Sequence, residues 1–455
     1  MNPSITIIDV SRVTPSKADS SMTLPLTFFD LLLFKVHPVD RVFFYRLPDA
    51  TRTLLDSVIV PKLKSSLSLA LSHYLPLAGQ LVWNSDDHKP SIVCSTNDAV
   101  SFTVAESNAD FSQLTGNEPF PATQLDQFAP ELRVTEDSAA AVSFQVTLFP
   151  NQGFCIGVSA HHGVLDGKTT SMFLKSWAHT CKQANDSLPE DLTPFYDRTV
   201  IKSPPDVDTQ ILNGMKRLAQ MMAGGKEPDN PKNLKILITP ENSQDKFRFT
   251  FALSRENIQT LRERLKRDSS SDSKQLHLST FVIAYAYAFT CFVRSRGGDP
   301  NRPVGYRFAV DYRGRLVDVP SSYFGNCVST IYSDPLTAAT FMAEDGFLAA
   351  ARLISDSVEE VDVNMVWDIV ELGKKQSATP FGSQALYVAG SPRFGVYGLD
   401  FGWGRPEKVD VVSIGQGSIS MAESGDGSGG VEIGFSLQKH ELDVLIDLLR
   451  DGLKN

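Results

Sequence analysis

Apolar positions recur along the chain at helical and at strand spacing. Leu63, Leu67, Leu71 and Tyr74 keep a helical period, so Leu54–Tyr74 reads as a helix that Pro76 stops. Ile5–Val13 reads as a strand closed by Pro15. Ala141–Phe149 and Phe154–Ala160 read as two strands. Pro150-Asn151-Gln152-Gly153 between them is good hairpin chemistry. A helix is expected over Thr169–Lys182, anchored by Met172, Phe173 and Trp177.

Between Leu188 and Ser243 the pattern breaks. Pro189, Pro194, Pro204, Pro205, Pro228, Pro231 and Pro240 fall there with Gly224 and Gly225. This stretch, taken as 188–245, is the linker candidate, with room for a helix over Thr209–Met222. A second unit starts with strand Phe247–Leu253. Ser254 suits the N-cap of a helix running to Arg267, and Asp268–Ser273 is a polar loop. Leu278–Val293 is the longest apolar run. Ser279, Thr280 and Thr290 interrupt it, and it falls short of the roughly 20 residues a membrane span needs. It is expected to be a buried core helix. Strands follow over Val304–Val310, Tyr323–Ile331, Leu386–Val388, Val409–Ile414, Ile419–Glu423 and Val431–Leu437, then a helix over Gln438–Leu449. Both halves mix strands and helices. That favours an α/β fold of two domains, 1–187 and 246–455, joined by a long crossover.

Composition narrows the function. The chain has 455 residues, 42% hydrophobic and 21% charged, which excludes a disordered, collagenous or disulfide-scaffold protein. The formal charge of −10 leaves no whole-chain basic footprint for nucleic acid or an anionic membrane. The five cysteines are odd in number and form no CxxC pair, which suits reduced thiols in the cytoplasm. The first residues show no signal peptide and the last no lipidation signal.

His162-Gly163-Val164-Leu165-Asp166 sits where a strand gives way to a helix. A histidine near neutral pKa suits a general base, and a carboxylate four residues on can orient it or anchor the loop. A satisfied structural histidine is the competing reading. His161 and His162 point apart on a strand, and no HExxH or distant CxxC supplies further ligands, so a metal centre is not expected. Asp400-Phe401-Gly402-Trp403-Gly404 reads as a tight structural turn around a large ring. Tyr323-Phe324-Gly325-Asn326-Cys327 reads as a buried turn, with nothing to make Cys327 a nucleophile. Ser424–Gly430 is glycine-rich but precedes a strand, whereas a phosphate cradle opens a helix. GxSxG and the Walker motif are both absent from the sequence.

HHGVLDG at 161–167 followed by DFGWG at 400–404 resembles the plant BAHD acyltransferase family, in its order and at roughly its spacing. LPLTFFD at 24–30, HYLPLAG at 73–79 and LFPNQGF at 148–154 resemble it too. YFGNC at 323–327 and VAGSPRFGVYGLDFGWGRP at 388–406 are similar to the branch that acylates anthocyanins, flavonoid glucosides and phenolic glucosides. The resemblance implies two chloramphenicol-acetyltransferase-like domains with a channel between them. It implies acyl-CoA as co-substrate, no permanently bound cofactor, and a monomer. His162 matches the catalytic base of a direct transfer without an acyl-enzyme. Asp166 matches an aspartate that turns away and pairs with an arginine, here Arg313. Asp400, Gly402, Trp403 and Gly404 match a segment that supports the fold and the CoA side.

The family's Ser/Thr-Trp pair before DFGWG is replaced by Gly390-Ser391-Pro392-Arg393, which leaves Ser391 as the oxyanion candidate. Ser279 and Thr280 are the CoA candidates at a helix N-terminus. A malonyl donor needs a cation, for which Lys168 and Arg393 are the candidates. HHGVLDGKTTSMFLKSWAH resembles the malonyl-transferring members more closely. A hydroxycinnamoyl donor is the alternative, and a non-catalytic ligand-binding member is the alternative of another class.

Overall fold

The computed structural model describes residues 5–17, 21–226, 230, 232–239, 245–270, 275–362, 384–415 and 417–454. Two large mixed sheets organise it, with a small sheet of Met22–Pro25, Ser91–Cys94, Gln80–Val82 and Ser138–Ala140 beside the first. The first large sheet runs in the order Ile5–Val13, Val100–Ser107, Val142–Phe149, Gly153–Ala160, Val39–Arg46, Lys408–Val411. Its central hairpin, Val142–Phe149 with Gly153–Ala160, is buried at every position. Both faces are covered, so Ser143, Gln145 and Thr147 are buried along with the apolar residues they alternate with. Phe43 and Tyr45 point into the main core, while Val42 and Phe44 join a second cluster with Phe111, Phe128 and Phe149. The helices Val60–His73 and Gly167–Gln183 pack together on the main-core side.

The second large sheet follows the path Val328–Tyr332, Pro303–Asp311, Gln384–Gly390, Ser418–Glu423, Val431–Gln438, Lys246–Leu253, Phe120–Pro121. The apolar run becomes the helix Thr280–Ser295, buried from Val282 to Val293 and packed against the helices Gly346–Glu359 and Lys439–Asp451. Ser279 caps it, its hydroxyl oxygen accepting the Val282 N–H at 3.3 Å. Ser254 likewise caps the helix Arg255–Asp268, reciprocated by Asn257.

The sequence did not reveal that the halves exchange strands. Lys408–Val411 pairs with Val39–Arg46 in the first sheet. Phe120–Pro121, from the first half, pairs with Lys246–Leu253 in the second. The crossover adds a helix, Val207–Met222, and then binds the first half again. Lys35 Nζ donates to the Asn233 carbonyl at 2.8 Å, and the His37 N–H donates to the Ile238 carbonyl at 2.8 Å.

Three boundaries differ from expectation. The Leu54–Tyr74 helix begins with a π-wound turn at Leu55–Ile59 before the regular Val60–His73. The strand expected over Tyr323–Ile331 starts only at Val328, because the amides of Asn326 and Cys327 bond to buried carboxylates instead of a neighbouring strand. The last strand of the first sheet stops at Val411. Part of the polar Asp268–Ser273 loop lies outside the described residues. No helix among the described residues is long and apolar enough to cross a membrane.

Candidate active site

His162 sits just past the end of the strand Gly153–Ala160, in the turn that leads into the helix Gly167–Gln183. Asp166 is the N-cap of that helix and accepts the Thr169 N–H at 2.8 Å. Six residues, His161 to Asp166, thus join the strand end to the helix start, and Gly163 fits because a Cβ there would lie 2.5 Å from the Phe34 Cα.

Asp166 makes none of its hydrogen bonds to His162. Its Oδ2 pairs with Arg313 Nη1 at 2.8 Å and accepts the Cys327 N–H at 3.1 Å. Arg313 is fully enclosed and reaches five acceptors. Nη1 also pairs with Asp311 Oδ1 at 2.9 Å, Nη2 donates to Thr169 Oγ1 at 2.9 Å and the Gly325 carbonyl at 2.6 Å, and Nε donates to the Tyr323 carbonyl at 3.1 Å. Burial raises the Asp166 carboxyl, but Arg313 and the two amides outweigh it and hold the group below the usual carboxylate range. The two readings left open for this carboxylate resolve to anchoring of the loop.

A second tie was not foreseen. Asp30 is buried in the Thr27–Asp30 capping box and accepts Thr27 N–H at 2.9 Å and Arg198 Nη1 at 2.9 Å. Its other oxygen accepts from the Asn326 amide N–H at 2.8 Å and Nδ2 at 3.0 Å. Asn326 Nδ2 also donates to the His162 carbonyl at 2.9 Å. The T-x-x-D pattern in LPLTFFD was the available signal for Asp30. Arg198 had none, since it lies in the proline-rich crossover. Gly325, at φ +120°, closes the arrangement: a Cβ there would lie 2.4 Å from Arg198 Nη1.

His162 is partly buried, with Nδ1 enclosed and without a partner from another residue, which leaves Nε2 as the available nitrogen. Burial pushes its pKa down to about 4. Its own main chain and Asp166 oppose the shift, while the charges of His37 and Arg41 add to it. The ring is therefore neutral at pH 7 and able to accept a proton. Cys327 is buried, with its thiol pushed up to about 12, so no thiolate nucleophile is offered.

The remaining candidates separate. Lys168 lies in the first turn of the same helix but pairs with Asp311 at 3.2 Å. Arg393 is exposed on the turn after Gln384–Gly390, and its N–H donates to Ser391 Oγ at 3.2 Å. The same turn brings Phe394 against the helix start, where a Cβ on Gly167 would lie 2.7 Å from its ring. Ser279 uses its oxygen as a cap, and Thr280 opens the apolar helix. Asp400 bonds the amides of Gly402 and Gly404 at 2.8 and 3.0 Å and pairs with Lys182 at 2.7 Å. Phe401 packs on Trp177 and Tyr45, and Trp403 on Phe154. This segment clamps the second half onto the first.

The comparisons fit this geometry. The transferase family matches residues 3–447. Phenolic glucoside malonyltransferase 1 of Arabidopsis thaliana is 66% identical over 464 aligned positions, covering 100% of this chain and 99% of that one. The malonyl-CoA:anthocyanidin 5-O-glucoside-6''-O-malonyltransferase of the same plant is 46% identical, covering 100% and 99%. Vinorine synthase, a solved structure, superposes with a TM-score of 0.72 at 21% identity over 98% of both chains, which shows the same fold. The chain belongs to the transferase family of BAHD acyltransferases, and it is an acyltransferase.

Proposed function

We propose that this acyltransferase moves a malonyl group from malonyl-CoA to a sugar hydroxyl of a phenolic glucoside, with His162 as general base. The carrying observation is a neutral imidazole fixed between the halves by Asp166–Arg313 and by Asp30–Asn326, with no nucleophile beside it. A thioester is already activated, so the missing part is a base for a hydroxyl whose pKa lies far above 7. His162 Nε2 takes the hydroxyl proton as the oxygen attacks the thioester carbonyl. The C–O bond forms, and the carbonyl electrons collect on the oxyanion. Collapse breaks the C–S bond, and the imidazolium protonates the departing thiolate. Ser391 is the candidate oxyanion donor, since its oxygen accepts from Arg393 N–H and its own hydroxyl hydrogen remains to donate. The amides at Thr280 are the candidates for a CoA phosphate.

The donor and acceptor classes rest on the two malonyltransferases that the chain resembles. The site draws residues from 1–187, 188–245 and 246–455 of a single chain, which supports action as a monomer. The five cysteines are all free and buried, which supports a reducing, cytoplasmic setting. The test is a donor competition with equal malonyl-CoA and coumaroyl-CoA on a flavonoid or phenolic glucoside, read by mass spectrometry. A malonyl ester as main product is expected. A coumaroyl ester would overturn the donor assignment, and acceptor-independent release of free acid would overturn the transferase chemistry.

A further inference from the structure

We propose that Arg41, rather than Lys168 or Arg393, reads the free carboxylate of the malonyl donor; this rests on the malonyl reading above. Arg41 lies on the strand Val39–Arg46, opposite Val158 of the strand that leads into His162. Its residue is 5% exposed, on the same strand face as Phe43 and Tyr45. The side chain reaches the start of the helix that Asp166 caps. A Cβ on Gly167 would lie 3.3 Å from Arg41 Nη2. Phe394, from the turn that carries Ser391, lies 5.7 Å from the guanidinium. Arg41 is close enough to His162 for its charge to disfavour the imidazolium. A malonyl carboxylate is one methylene from the reacting carbonyl, so its receptor has to sit near the base, as Arg41 does.

The hydrogen bonding of Arg41 is incomplete. Among the described residues its one hydrogen bond runs from Nη1 to Ser171 Oγ, at a long 3.4 Å, and its buried Nε has no partner. Arg313 and Arg198 each hold a carboxylate in an ion pair, and the buried Arg248 is held by the main-chain carbonyls of Val411 and Val412. Arg41 holds none. Asp166 and Glu423 lie within its electrostatic reach, but Asp166 is committed to Arg313, and Glu423 accepts the Tyr397 N–H on Oε1 at 2.8 Å while its buried Oε2 makes no hydrogen bond to Arg41. A buried guanidinium with five donors and one weak bond is a costly arrangement in isolation. A planar carboxylate matches that fork and would complete it.

The test crosses the residue with the donor. Wild type, Arg41→Gln and Arg41→Lys are assayed with malonyl-CoA and acetyl-CoA on one phenolic glucoside acceptor. Acetyl-CoA lacks the carboxylate and reports folding and His162 chemistry in every variant. The malonyl-to-acetyl ratio of kcat/KM is expected to fall about 10- to 100-fold in Arg41→Gln, the range for one charge-assisted contact. Arg41→Lys, which keeps the charge and loses the fork, is expected to fall between. An unchanged ratio in both variants, whether both donors fall together or neither moves, overturns the assignment. A wild type that takes acetyl-CoA and not malonyl-CoA would instead overturn the donor reading on which it rests.

Discussion

The Asp166–Arg313 pair allows a sharp test of what holds the base in place. Both side chains are essentially inaccessible, at 2% and 0%, and their oxygen and nitrogen lie 2.8 Å apart. Replacing Arg313 by Met strands the Asp166 charge in the interior with two amides as its remaining support. Breaking a buried pair by removing one partner costs about 3–5 kcal/mol. Loss of Arg313 also leaves the Tyr323 carbonyl and Thr169 Oγ1 without a donor and the Gly325 carbonyl with only the Thr169 hydroxyl, so the upper part of that range is expected. Asp166→Asn alone should cost about as much, since it leaves Arg313 facing an amide. The double variant Asp166→Asn with Arg313→Met removes both charges and should cost less than the sum of the singles by at least about 1 kcal/mol. Urea unfolding followed by tryptophan fluorescence gives the three differences, because the buried Trp177 belongs to the helix that Asp166 caps. Turnover should fall in all three variants, since each loosens the loop that carries His162. Additive singles, or an Arg313→Met cost under about 1 kcal/mol, would refute the view that this pair anchors the loop.

His162→Ala should retain its thermal unfolding midpoint within a few degrees and lose about 10²–10⁴-fold in kcat; retained turnover would remove the general-base role. With the His162 pKa pushed down to about 4, kcat/KM should stay level as pH falls through 6.5, and a half-loss near 6.5 would contradict the enclosed imidazole. Stability has the matching sign. His161 is also pushed down to about 4 by burial and by His162, so its contribution is present above pH 6.5 and lost as pH falls toward 4. His161→Gln should therefore show a shallower fall in melting temperature than wild type between pH 6.5 and 4, and parallel curves would refute that assignment. Asn326→Ala should lower kcat with little change in malonyl-CoA KM, because it removes the side-chain bonds to the His162 carbonyl and Asp30 Oδ1 while the main-chain N–H at 326 still holds Asp30; a KM effect alone would count against it.

What could be read from the sequence was what short-range chemistry determines. The hairpin at Pro150–Gly153, the Ser254 and Ser279 caps and the buried apolar helix all follow from neighbouring residues, and each is present. His162, Asp166 and Arg313 came through a motif and a resemblance, and the structure brings the last two into contact. Asp30, Arg198 and Arg41 escaped because their meaning is long-range. Asp30 meets Asn326 across 296 positions, and nothing near Arg41 in sequence shows that it faces the helix start after His162. Lys168 drew attention by lying two residues from Asp166, yet a helix start turns it toward Asp311 instead. Strand exchange was equally hidden, since Lys408–Val411 is a short segment whose partner lies in the other half.

That exchange bears on catalysis. A base supplied by one half and locked by Arg313 and Asn326 from the other is only as well placed as the seam between them. Two domains in contact across an ordinary interface move relative to each other by default, and a shift of 1 Å at the reacting atoms can cost about 10²-fold. Here the seam is held by backbone ladders in both directions, Lys408–Val411 entering the first sheet and Phe120–Pro121 the second. The Asp400–Gly404 turn lies immediately before the first of these strands. It fixes the approach by burying Phe401 against Trp177 and by the Asp400–Lys182 pair. Gly402, at φ +103°, permits that turn, and a side chain there would be strained and would meet Lys62 Nζ at 2.6 Å. A turn that anchors the seam is therefore expected to act on catalysis through geometry. Gly402→Ala should lower the turnover of malonyl and acetyl donors in equal proportion, whereas loss of Arg41 should separate them. A donor-dependent effect of Gly402→Ala would refute the purely geometric role of this turn.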